Sequence, residues 1–141
     1  NKFIEMGAQG VKMGTRFVAT NDCDVDSKLK QGYVDCADED LILINSPVGL
    51  PGRAIKSKLL DDISRGLTKP LNCLWKCLKS CDLKKAPYCI AEALSNARNG
   101  DLVNGFAFAG ANAFRIKEIV SVKELMRTLV EEFNSARRIK V

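Results

Sequence analysis

The sequence predicts an α/β fold, and three features carry the prediction. The first is the stretch from Gly7 to Phe17, which reads as a helix end, a strand and a glycine turn bearing a hydroxyl. The second is the short run Leu41-Ile42-Leu43-Ile44, followed by the turn-rich Ser46-Pro47-Val48-Gly49-Leu50-Pro51-Gly52. The third is a series of apolar stripes at helical spacing, most regular from Val122 to Phe133. Strands interleaved with amphipathic helices are the pattern of α/β chains.

Phe3, Ile4 and Met6 are the apolar residues of a last helical turn. Gly7 can take the left-handed conformation that ends a helix. Val11 and Met13 then run as a buried strand toward Gly14-Thr15. A strand ending in Gly-Thr before a helical turn presents backbone N–H groups and a hydroxyl at its carboxyl end. In α/β barrels that end of a strand binds ligands, and the last strands often hold a phosphate. The motif is short, and a plain tight turn also accounts for it.

Asp24 or Asp26 caps a helix over about residues 27–37, with Leu29, Tyr33, Val34 and Ala37 on one face. Gly32 weakens it. Leu41 to Ile44 form a strand, and Arg53 to Lys56 return as the second arm of a hairpin. Arg53 beside the turn is either an anion contact or simply exposed. A helix over residues 57–65 turns Leu59, Leu60 and Ile63 inward and stops at Gly66. Pro70 opens a helix over residues 71–80 with Leu71, Leu74, Trp75 and Leu78 at helical spacing. Ile90, Ala91, Ala93, Leu94 and Ala97 make a short amphipathic helix. Gly105 to Gly110 alternate small and aromatic residues, as a buried strand or a tight helix contact would. Ser121 and Glu124 form a capping box for the last helix. Its stripe of Val122, Leu125, Met126, Leu129, Val130 and Phe133 needs a partner surface.

At 141 residues the chain can form one core, and its 46% hydrophobic content is ordinary for a globular protein. The net charge of +5 comes from 22 basic and 17 acidic residues. The basic residues are mixed with acids along the chain, so no nucleic-acid surface is expected. No run is apolar enough to span a membrane. Neither nucleic acid nor a membrane is therefore an expected partner.

Six cysteines are many for this length. Cys73, Cys77 and Cys81 stand four residues apart, and Cys89 follows a loop containing Pro87. Thiolates bind zinc and iron–sulfur clusters, and four of them close a tetrahedral site. The spacing matches neither the Cys-x2-Cys pairs of common zinc modules nor a ferredoxin. Three readings stand. One is a metal centre, and with it a non-enzymatic cysteine-rich binding module. Another is a disulfide, for which Cys81 with Cys89 is geometrically easiest. The third is buried thiols in a reducing cytoplasm, the expected location. Cys23 and Cys36 belong to no recognisable pattern.

The strings GAQGVKMGTRFVAT and SPVGLPGRAI resemble the nitronate monooxygenase family, formerly called 2-nitropropane dioxygenases. The flavin-dependent enoyl-acyl carrier protein reductases are close relatives. Pro87-Tyr88-Cys89-Ile90 and Gly110-Ala111-Asn112-Ala113-Phe114-Arg115 add weaker matches, so the likeness covers most of the chain. The resemblance implies an FMN enzyme built on a TIM (β/α)8 barrel. It implies that Met13, Gly14 and Thr15 sit at the end of the eighth barrel strand and hold the FMN phosphate. It places Asn112 near the flavin, where its amide could donate to a flavin or substrate oxygen.

The hairpin would belong to an added domain that shapes the substrate pocket. The implied reaction is oxidation of an alkyl nitronate with dioxygen, and the alternative is reduction of an enoyl thioester. Family members are more than twice this length. They use a histidine near the flavin, and this chain has none. The expectation is a carboxyl-terminal part, inactive alone and completed by an amino-terminal barrel portion. Residues 1–21 would close the barrel, 22–100 form an inserted, mostly helical lid domain, and 101–141 return to the core. Left alone, its uncovered apolar surface predicts association into dimers or higher oligomers.

Overall fold

β1 (Leu41–Asn45) and β2 (Pro51–Ile55) pair antiparallel, from Leu41 opposite Ile55 to Asn45 opposite Pro51. The turn between them works as its sequence predicts. Gly49 takes a positive φ of 87°, and its N–H donates to Ser46 O at 2.9 Å. The computed structural model describes residues 2–69, 71, 73, 77, 79 and 81–138. Around the hairpin, in chain order, lie α1 (Lys2–Glu5), α2 (Thr15–Val18), α3 (Ser27–Asp35), α4 (Lys58–Ser64), α5 (Ile90–Arg98) and α6 (Val122–Arg138). Short 3-10 turns occupy Asp38–Asp40 and Ala113–Arg115.

The far edge of β2 is covered by residues 107–109. Ile55 N–H donates to Ala107 O at 3.1 Å and Ala109 N–H to Arg53 O at 2.9 Å. That segment alternates as the small-aromatic pattern predicts, with Ala107 and Ala109 buried and Phe108 39% exposed. Burial on both sides of β2 gives two apolar clusters. One gathers Leu29 and Tyr33 of α3 with Ala19, Ala97, Ala107, Ala109, Ala113 and Ile116. The other gathers Ala54, Leu59, Leu60, Tyr88, Ala93 and Phe106. In the second, Phe106 packs edge-on to Tyr88 at 5.9 Å and to Phe108 at 5.2 Å. Gly105 is required by packing. A Cβ there would stand 2.5 Å from Ala97 N and 2.7 Å from Ala93 O on α5.

Local signals explain most helix ends. Asp26 caps α3 by accepting from Lys28 N–H, and Ser57 caps α4 by accepting from Leu60 N–H. The last helix is held twice at its start. Glu124 N–H donates to Ser121 Oγ at 3.1 Å, and Val122 N–H donates to Asp22 Oδ2 at 2.7 Å. Gly7 has the expected left-handed φ of 97°.

Two expectations change, and a third holds. Residues 8–13 form no strand, and Val11 and Met13 are 75% and 44% exposed. A strand exists only against a neighbour, and the one sheet among the described residues is the hairpin, which does not adjoin them. Second, α3 ends at Asp35, because Cys36 turns extended at φ −61°, ψ 125°, so Ala37 lies outside the helix. As its need for a partner surface predicts, the stripe of α6 buries only Leu125 fully, while Met126, Val130 and Phe133 are 46%, 52% and 41% exposed. The helix expected over residues 71–80 lies largely outside the described residues.

Candidate functional site

Two segments far apart in sequence meet at one hydrogen bond. Gly110 N–H donates to Thr15 Oγ1 at 2.9 Å. Each side is fixed from behind. On one side, Gly14 O accepts from Phe17 N–H at 2.9 Å, and Thr20 Oγ1 donates to Phe17 O at 2.7 Å. Thr20 is fully buried, so the turn at 14–17 rests on the core. On the other side, β2 grips residues 107–109, and Tyr33 Oη donates to Phe108 O at 2.7 Å. Beyond Gly110 the chain folds tightly, with Ala113 N–H donating to Gly110 O at 3.0 Å.

Between these segments lies a concavity of about 360 Å³. Met13, Gly14, Thr15 and Asn112 all line it, so the four residues singled out from sequence stand at one place. Lys12, Arg16 and Arg115 line it too, and no carboxylate does. Such a lining suits an anion. Arg16 is held by a bond from Nη1 to Ala19 O at 3.0 Å, and Arg115 lies over the Phe114 ring at 5.6 Å. Space above Gly14 is open, since a Cβ there would meet nothing within 4 Å. Thr15 Oγ1 accepts from Gly110, which leaves its own proton to donate outward.

The three cations were not singled out from sequence. Their signal is their place beside the Gly14-Thr15 and Gly110-Asn112 motifs, and that becomes informative only once the two motifs meet.

A larger concavity of about 470 Å³ lies elsewhere, lined by Lys69, Tyr88, Cys89, Glu92, Asn96 and Asp101 among others. Its charges are mixed and largely satisfied internally. Asn104 donates to Asp101 through side chain and backbone, which holds the Asp101 carboxyl below its ordinary range. The size of that hollow therefore does not make it the better anion site.

The fold and the first concavity define an α/β segment with a hollow lined by backbone, hydroxyl and cationic groups. Residues 2–132 match the nitronate monooxygenase family, and the chain belongs to that family. Among solved structures it is similar to FabK from Thermotoga maritima, with a TM-score of 0.74 and 25% identity, covering 96% of this chain and 40% of that one. A FabK M276A mutant from the same organism gives a TM-score of 0.71 at 25% identity, over 96% of this chain and 36% of that one. This likeness is consistent with part of a TIM barrel. A curated relative is a (3aS,4S,5R,7aS)-5-hydroxy-7a-methyl-1-oxo-octahydro-1H-indene-4-carboxyl-CoA dehydrogenase from Mycobacterium tuberculosis. It is 32% identical over 60 residues, which is 43% of this chain and 17% of that protein. The chain thus spans well under half the length of these relatives.

Among the described residues, no helix is long and apolar enough to cross a membrane.

Proposed function

We propose that this chain supplies the phosphate end of an FMN site in an oxidoreductase that oxidises alkyl nitronates with dioxygen. The observation that carries the reading is the meeting of Met13, Gly14, Thr15 and Asn112 on one cation-lined concavity. Bound FMN would supply the electron transfer between substrate and dioxygen. Thr15 would donate its hydroxyl proton to a phosphate oxygen, and the open backbone at Gly14 would admit that oxygen closely. Lys12, Arg16 and Arg115 would balance the phosphate charge. Asn112 would donate its amide toward a ring or substrate oxygen. Residues 22–100 would lie over the flavin as a lid, with the hairpin turn at its substrate edge. The chain holds no histidine, so the histidine that the family resemblance implies beside the flavin would come from an amino-terminal barrel portion.

A second reading is reduction of an enoyl thioester with a nicotinamide cofactor. The likeness to FabK over 96% of the chain favours it, as does a relative whose name carries a CoA thioester. The FMN-loaded native protein separates the two. Oxygen uptake with an alkyl nitronate supports the first reading. Oxidation of a nicotinamide that depends on an enoyl thioester supports the second and removes the first. No flavin and neither reaction would overturn both.

A further inference from the structure

The FMN reading gives α3 no part, yet α3 backs one wall of the concavity. Its buried residues, Leu29 and Tyr33, stand four apart on one face. The helix is anchored at its start, where Asp26 N–H donates to Arg98 O at 2.9 Å and Asp26 Oδ1 accepts from Lys28 N–H at 2.8 Å. It packs against the 3-10 turn Ala113–Arg115, which brings Arg115 to the concavity. Tyr33 itself lies behind the lining rather than in it. Along residues 107–109, β2 takes the Ala107 carbonyl and the Ala109 N–H. In an extended segment the Phe108 carbonyl then faces the other way, and there Tyr33 Oη donates to it at 2.7 Å. The peptide between Phe108 and Ala109 is thus pinned at both ends, its oxygen by Tyr33 and its N–H by Arg53 O.

We infer that Tyr33 is a positioning residue for phosphate recognition at Thr15, an inference that rests on the FMN reading. The Gly110 N–H belongs to the next peptide plane, and only the two backbone torsions of Ala109 separate it from the pinned one. Ala109 is buried, so those torsions have little room to change. The pinned peptide therefore aims the Gly110 N–H at Thr15 Oγ1, 2.9 Å away. A hydroxyl has one proton to give and two lone pairs to accept with. With a donor fixed on one lone pair, the Thr15 proton is left to face the concavity. Without the Tyr33 bond the peptide is held from one side only, and the Gly110 N–H loses its fixed aim. The Thr15 hydroxyl can then turn its proton to a backbone carbonyl of its own turn. An ionised phosphate oxygen, which only accepts, meets that proton less of the time. Riboflavin has no phosphate, so its binding does not depend on the tie.

The test is fluorescence titration of the native protein, Tyr33→Phe, Thr15→Val and the double variant with FMN and with riboflavin. Tyr33→Phe should weaken FMN roughly two- to tenfold, the worth of one hydrogen bond, and leave riboflavin unchanged. In the Thr15→Val background the same change should cost FMN nothing further, because the hydroxyl that Tyr33 positions is gone. Ser57→Ala uncaps α4 away from the concavity at a comparable cost in stability, and should bind both ligands as the parent does. That control separates positioning from general destabilisation. FMN bound by Tyr33→Phe as tightly as by the parent would overturn the inference. So would an equal loss of FMN and riboflavin, or a loss in the Thr15→Val background as large as in the parent. If Thr15→Val still weakens FMN selectively, the FMN reading stands and only the role of Tyr33 falls. If Thr15→Val has no effect either, the reading falls with it.

Discussion

Replacing Tyr33 with Phe should cost stability and remove part of its alkaline dependence. Tyr33 is 3% exposed, and its hydroxyl donates to Phe108 O at 2.7 Å. Losing a hydrogen bond of this kind costs about 1 kcal/mol, and leaving its carbonyl unsatisfied adds about 1–3 kcal/mol. Phe108 is 39% exposed, so water can reach the region and the total should fall near about 1–2 kcal/mol. Burial also pushes the Tyr33 hydroxyl up to about 12 from the ordinary 10.0. The folded state then keeps a proton that the unfolded chain loses. This stabilisation is whole below pH 10 and is lost as pH rises toward 12. Two pH units correspond to roughly 3 kcal/mol at most. Urea unfolding of both proteins at pH 7 and across pH 9.5–11.5 measures both effects. The parent should lose stability faster than Tyr33→Phe over that range. Parallel curves would refute the reasoning, because every titratable group other than Tyr33 is common to the two proteins.

Other perturbations reach different parts of the fold. Gly52→Ala would place a Cβ 2.5 Å from Phe108 Cε1, so the ring must move, and a thermal midpoint lowered by several degrees is expected. Gly105→Ala meets backbone rather than a ring and should leave little folded protein in a solubility and circular dichroism comparison. The hydrogen bond and charge of Arg98, with Nη2 at 2.7 Å, hold the Asp24 carboxyl below its ordinary value. That stabilisation is present above the unfolded value of about 3.9 and is lost as pH falls through the folded one. Because the pair is exposed, added salt should weaken it, and Asp24→Asn should flatten acid unfolding curves slightly. Phe3, Met6, Val11, Met126, Val130 and Phe133 are all more than 40% exposed, so the isolated chain should self-associate in analytical ultracentrifugation. A clean monomer would count against that.

What the sequence made legible follows how local each signal is. Ser57 caps α4, and Gly49 turns the hairpin, through bonds within three residues, so neighbours in sequence were enough. Residues 8–13 failed as a strand for the opposite reason. Val11 and Met13 have the right side chains, but a strand is made by its partners. The site is intermediate. Gly14-Thr15 stands out as a glycine turn bearing a hydroxyl and Asn112 through family likeness, and nothing in their spacing shows that they meet. The bond from Gly110 to Thr15 spans 95 residues, and the one from Tyr33 to Phe108 spans 75. Periodicity carries no information about such ties. The same limit hid Lys12, Arg16 and Arg115 until the two segments were brought together.

The most direct test compares FMN with riboflavin binding in the native protein and in Thr15→Val, by quenching of flavin fluorescence. The two ligands differ only in the phosphate. A hydroxyl donated to a charged group is worth about 1.5–3 kcal/mol, so FMN should bind roughly 10- to 100-fold more weakly to the variant. Riboflavin should bind the two proteins alike. If Thr15→Val left FMN affinity unchanged, or weakened both ligands equally, the phosphate would not lie at Gly14-Thr15, and the proposed site would be wrong.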